Sequence, residues 1–223
     1  MFAVSDLMKA KDKAFELIGG PIGDIAKLAL SYQAPLAIPV FDCVRDLIKD
    51  RNMRVFAKEC AEQAVEEKFN QHNQKHCELV MYAVMKVMDC SHEAKIVRIT
   101  EVLSRALSNS EELLNAEDFI NIISELSENE AICFGKIYRE FNLHSSDEEG
   151  SKKEILNYGE DVIKNIDRGD RIFLFGRLAG KGLIYEDTAT RFNYMGGRFC
   201  PTSVGEKLYQ AIEATYNSEQ YAH

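Results

Sequence analysis

Through the first 141 residues, apolar side chains return every three or four positions, a spacing that suits one face of an α-helix and no strand. Leu79, Val80, Ala83, Val84, Val87 and Met88 form the clearest stripe, and Ile96, Ile99, Leu103 and Leu107 form another, with Ser91 as its expected N-cap. Ala37, Val40, Phe41, Val44, Leu47 and Ile48 predict the inward face of an earlier helix. Asp42, Arg45, Asp46 and Lys49 would take its wet side, and Pro39 suits its first turn. A separate helix is expected from about Met53 to Phe69, and another from Ser5 to Ile18, ended by Gly19-Gly20-Pro21. Asn115 precedes the run Phe119, Ile120, Ile122, Ile123 and Leu126. Ser127 and Glu130 make a capping box before Cys133, Phe134, Ile137 and Phe141.

The periodicity stops at Asn142–Gly150, which reads NLHSSDEEG. Charge changes at the same place. The chain carries 27 basic and 36 acidic side chains, a formal net charge of −9. Residues 1–150 hold 17 basic and 26 acidic groups, whereas residues 151–223 hold 10 of each. The expected organisation is therefore a helical domain over residues 1–144 and a second module over 145–223. An acidic chain does not wrap nucleic acid through bulk charge, although a small DNA-reading surface is compatible with it. With 46% hydrophobic residues, the chain can bury a core.

The second module differs in kind. Ser151 and Glu154 make a capping box, and Ile155, Val162 and Ile166 predict one helix or two short ones. Asp167–Asp170 forms a turn, and Ile172, Phe175, Leu178 and Ala179 mark a helix that stops at Gly182. Leu183-Ile184-Tyr185 and Arg191-Phe192-Asn193-Tyr194 read as strands, Gly196-Gly197 as a hairpin turn, and Arg198-Phe199-Cys200 as a return strand. Pro201-Thr202-Ser203 opens a last helix with Leu208, Ile212 and Tyr216, capped by Ser203 and Glu206. This order, with Arg177-Leu178-Ala179-Gly180-Lys181-Gly182-Leu183-Ile184 and Thr202-Ser203-Val204-Gly205, resembles the signature of bacterial winged-helix domains. The whole layout is similar to helical bacterial and prophage-carried proteins of abortive-infection-alpha-like kind. The expected fold is mainly α: an N-terminal multi-helix bundle and a C-terminal winged-helix-like module with a small β-hairpin. The resemblance implies that the helix ending at Gly182 reads a partner and that the hairpin is the wing. The nine-residue acidic linker departs from it.

On a helix, Arg177 and Lys181 share a face, and Arg191 and Arg198 fall on the wing, where phosphate contacts occur. These four are the expected nucleic-acid or partner-binding residues, opposed by Asp170, Glu186 and Asp187. Met81, Tyr82 and Met85 are a candidate partner surface; the alternative is a helix buried on two sides. His72, His76, Cys77, Cys90 and His92 resemble metal ligands in type. His76 and Cys90 would lie roughly 21 Å apart along a helix, too far to share one ion, so no metal is expected.

No nucleophile elbow, P-loop, dinucleotide fingerprint or zinc-protease motif is present, and Asp42, Asp46 and Asp50 interleave with Arg45 and Lys49 as a solvated face. The expectation is a non-enzyme without a cofactor. The six cysteines form no C-x-x-C pair, which fits reduced thiols in the cytoplasm, and the N-terminus lacks a signal-peptide pattern. The longest uncharged run, Leu28–Phe41, is 14 residues, short of the roughly 20 that span a bilayer. Ile18–Phe41 could still lie in an interface. The expected role is protein interaction, with phage–host conflict implied by the resemblance alone. DNA regulation is the alternative, membrane action the third reading, and homo-oligomerisation is compatible with the first two.

Overall fold

The computed structural model describes residues 39–109, 115–144, 156–157, 168–188 and 197–219. The expected helix at Ser5–Ile18, the body of the stretch Ile18–Phe41, the capping box at Ser151 and the strand Arg191–Tyr194 lie outside these residues. The described residues are mainly helical, with one small antiparallel sheet near the C-terminus. The chain divides into two compact units, Met1–Ser124 and Glu125–His223.

In the first unit α1 runs unbroken over Pro39–Glu62, and α2 is the single turn Val65–Lys68. Then come α3 (Gln74–Met88), α4 (Glu93–Ser108) and α5 (Ala116–Glu125). Helices α1, α3 and α4 pack on one another in all three pairings. The stripes of α3 and α4 are buried as their spacing predicts. In α1, Leu47 and Ile48 of the expected stripe are 56% and 42% exposed, whereas Lys49, assigned to the wet side, is 8% exposed. Two expected helices are one continuous rod. Its rotation is set by the run Asn52, Met53, Phe56, Ala57 and Cys60, all buried, with which Lys49 is in phase.

Helix ends leave carbonyls without partners, and here side chains from elsewhere in the unit supply the donors. The Asn52 side-chain amide donates to Cys90 O at 2.8 Å and Val87 O at 3.0 Å, closing the end of α3. Its own oxygen accepts from Arg51 at 3.0 Å. Lys95 Nζ donates to Ser124 O at 2.8 Å, near the end of α5. Lys68 Nζ donates to Gln63 O at 2.9 Å and to Ser104 Oγ at 2.6 Å. These bonds hold the elbow after α1, where Ala64 takes a left-handed φ of 51°. The N-cap of α4 is His92, one residue beyond the expected Ser91, and its side chain makes no capping bond.

The second unit holds α6 (Glu128–His144), β1 (Leu156–Asn157), α7 (Arg168–Gly180), β2 (Ile184–Glu186), β3 (Arg198–Pro201) and α8 (Ser203–Glu219). Helix α6 therefore belongs with the C-terminal unit, whereas the sequence pattern placed the boundary at residue 144. Asn142–His144 continue α6, so the start of the acidic segment is helical. Strand order is β1-β3-β2, with Leu156 opposite Phe199 and Tyr185 opposite Cys200. Leu156 and Asn157 were expected at the start of a helix; a two-residue strand carries no periodicity that could announce it.

An aromatic column fills the core of this unit. Tyr138 stacks on Tyr209 at 5.7 Å, Tyr209 on Tyr216 at 6.0 Å, and Phe134 lies 4.7 Å from Tyr138. The Tyr138 hydroxyl donates to Leu183 O and accepts from Thr202 N at 3.2 Å. Thr202 Oγ1 donates to Gly182 O at 2.7 Å and accepts from Gly205 N at 3.0 Å. Thr202 thus caps α8, one residue before the expected Ser203. Gly182 sits at φ +71°, and a Cβ on Gly205 would strike the Tyr138 hydroxyl and Leu183 O.

Three substitutions test this account by chemical denaturation. Asn52→Leu should lose about 2 kcal/mol or more, since carbonyls at the end of α3 lose a buried donor. Gly205→Ala should lose about 2 kcal/mol through overpacking. Gly176→Ala, where a Cβ meets nothing within 4 Å, should instead gain up to about 1 kcal/mol from helix propensity.

Candidate macromolecule-binding surface

Helix α7 is built to bury one side and show the other. Leu174, Phe175 and Leu178 face the core of the second unit, where Phe175 meets Phe199 edge-on at 5.0 Å. Phe173 is 62% exposed and Ile172 is 47% exposed. Ile172 was expected in the buried stripe; the buried arc centres instead on Leu174 and Leu178, four positions apart, which leaves Ile172 at its edge. A Cβ at Gly176 or Gly180 would meet nothing within 4 Å. The Gly176-x-x-x-Gly180 spacing is therefore on the outside of α7 and is not a close packing seam within the unit.

The basic residues of this region already have acidic neighbours. Glu130 is 1% exposed and closes the expected capping box: Ser127 N donates to Glu130 Oε2 at 2.6 Å, and Glu130 N donates to Ser127 Oγ at 3.2 Å. Its other oxygen accepts from Arg177 Nε. Burial alone would raise the Glu130 carboxyl, but the bonds from Arg177 and Ser127 outweigh it and hold the group below its ordinary value. The Arg177 guanidinium also lies 5.8 Å from the centre of the Phe173 ring. Lys181 Nζ stands 3.5 Å from Glu125 Oε2. Arg198 is on β3, half-buried, with its carbonyl accepting from Asp187 N at 2.8 Å. Glu186 Oε1 accepts from Gly197 N at 2.9 Å and ties the two strands where they separate. Arg191 lies outside the described residues. The structure thus places Arg177 and Lys181 on one helix, Arg198 on a strand, and an acid beside each of the first two. The capping box was legible; that Glu130 also receives an arginine 47 positions away was not, because no local pattern encodes that pairing.

The other candidates resolve into local structure. Tyr82 is half-buried, its hydroxyl donating to Asn121 Oδ1 at 3.4 Å, and Lys86 Nζ sits 5.4 Å from its ring centre. Met81 is half-buried and Met85 is exposed. His76 Nδ1 accepts from Asn70 N at 3.3 Å, Cys77 Sγ lies 3.5 Å from Gln71 O, and Cys90 Sγ lies 3.3 Å from Lys86 O. Among the described residues, no three His, Cys, Asp or Glu side chains converge on a point that could hold a metal. Burial pushes the Cys60 and Cys133 thiols up to about 12 and Cys90 to about 11, the opposite of an activated nucleophile. Among the described residues, no helix is long and apolar enough to cross a membrane.

Comparison with protein-family models, with curated proteins and with solved structures finds no match to this chain.

The Glu130 carboxyl gives a pH signature. A carboxyl held low in the folded state adds stability that is complete at neutral pH and is lost as pH falls through its depressed value. Unfolding midpoints in urea should therefore drop below about pH 5. Glu130→Gln should be less stable at pH 7 and should lose less than the parent on going to pH 4.

Proposed function

We propose that this chain is a non-catalytic, intracellular macromolecule-binding protein whose C-terminal unit is a winged-helix-like module that engages another protein. The element order α6, β1, α7, β2, β3, α8 and the antiparallel strand order β1-β3-β2 support the winged-helix reading. On that reading α7 is the helix presented to a partner. The observation that carries the proposal is the character of its outward side. Ile172 and Phe173 are exposed there, while Arg177 and Lys181 are paired with Glu130 and Glu125. Phosphate recognition gains from cations that release counterions on binding, and cations already neutralised by carboxylates contribute less. Exposed aromatic surface instead suits a protein partner. An intracellular setting is supported by five free thiols, Cys60, Cys77, Cys90, Cys133 and Cys200. Placement in phage–host conflict rests on the resemblance of the sequence alone.

DNA regulation is the second reading, favoured by the 48% exposure that the Arg177 side chain keeps despite its bond to Glu130. A photo-crosslinker at position 173 in the full chain should give a discrete protein adduct in cells, and Phe173→Glu in a folded chain should abolish capture by affinity pull-down. Labelled duplex DNA at about 50 mM salt should show no retardation. Retardation that weakens with salt and with Arg177→Ala, without any protein adduct, would transfer the function to DNA binding.

A further inference from the structure

The outer face of α7 is self-complementary, and the geometry points to a second copy of this chain as its occupant, paired helix to helix about a two-fold axis. This deepens the protein-binding reading above and rests on it.

Asp170, Phe173 and Arg177 stand at positions i, i+3 and i+7 of one helix, all exposed. At 1.5 Å per residue the acid and the base are about 10.5 Å apart along the axis, with the aromatic ring between them. A second α7 laid antiparallel on this face brings Asp170 of each copy opposite Arg177 of the other, twice, and Phe173 against Phe173 at the centre. That is the pattern of an isologous interface, in which the same patch serves both sides. Arg177 can take part because only its Nε is committed to Glu130, and a guanidinium has further N–H donors. Gly176 and Gly180, with open space where a Cβ would stand, let the second helix approach closely beside the ring.

The experiment is sedimentation velocity of the purified full chain from about 1 to 500 μM. A monomer–dimer equilibrium in the micromolar range is expected, below the affinity of a large obligate interface. Gly176→Gln is the decisive variant, because a Cβ at this position meets nothing within 4 Å in the monomer, whereas a longer side chain would fill the approach of a second helix. It should weaken the dimer at least tenfold with unchanged circular dichroism and a melting temperature no lower than the parent's. Asp170→Lys, which sets like charges opposite each other twice, should weaken it about tenfold, and less at 500 mM salt than at 50 mM. A chain that stays monomeric to 500 μM, or a dimer indifferent to both variants, overturns self-pairing. The crosslink at position 173 separates the two claims. An adduct of twice the chain mass supports self-pairing. An adduct with a different protein, from a monomeric chain, overturns it and leaves the protein-binding reading standing.

Discussion

The Tyr138 hydroxyl is the point at which the C-terminal unit is fastened. It comes from α6, donates to Leu183 O just after α7, and accepts from Thr202 N just before α8. Three segments distant in sequence thus share one buried oxygen, and Thr202 Oγ1 adds bonds to Gly182 O and Leu183 O. Burial pushes the phenol up to about 12, so it keeps its proton at physiological pH and remains a donor. Around these junctions Leu183, Ile184, Phe199 and Cys200 are all buried, and Phe199 meets Phe175 edge-on.

This gives the recurring residues of the resemblance a physical meaning. Gly182, Leu183, Thr202 and Gly205 all meet at the knot. Gly182 supplies a left-handed turn, Thr202 a cap and a clamp, and Gly205 room for the phenol. The motif is an architectural one and is silent about what the module binds. The residues on which the proposed binding rests, Phe173 and the paired Arg177, stand beside it.

The helical unit solves a different problem with similar means. Its helices end inside the protein, and buried carbonyls at those ends need donors. Asn52, Lys68 and Lys95 reach across to supply them. This explains where reading the sequence succeeded and where it failed. The apolar stripes of α3 and α4 gave the right buried face, although α4 also buries Lys95, Arg98, Thr100 and Ser104 beside its stripe. Helix α1 was misread at Lys49 and Asn52, which are buried although hydropathy registers them as solvent-exposed; Asn52 serves tertiary bonds there. The capping box at Ser127 was visible because both partners lie within one turn. The pairing of Glu130 with Arg177, the strand at Leu156 and the knot at Tyr138 were not visible, because each depends on chain segments that approach only in the folded protein.

The dimensions of the sheet carry a last consequence. Among the described residues its outer strands are β1, of two residues, and β2, of three, flanking the four-residue β3. Edges this short expose too few unpaired amides and carbonyls to template a visiting strand. Recognition by strand addition, which relies on a run of main-chain bonds along an open margin, has little purchase on strands of these lengths. On the proposed reading, side chains on a helix would make the contact instead of backbone on a sheet.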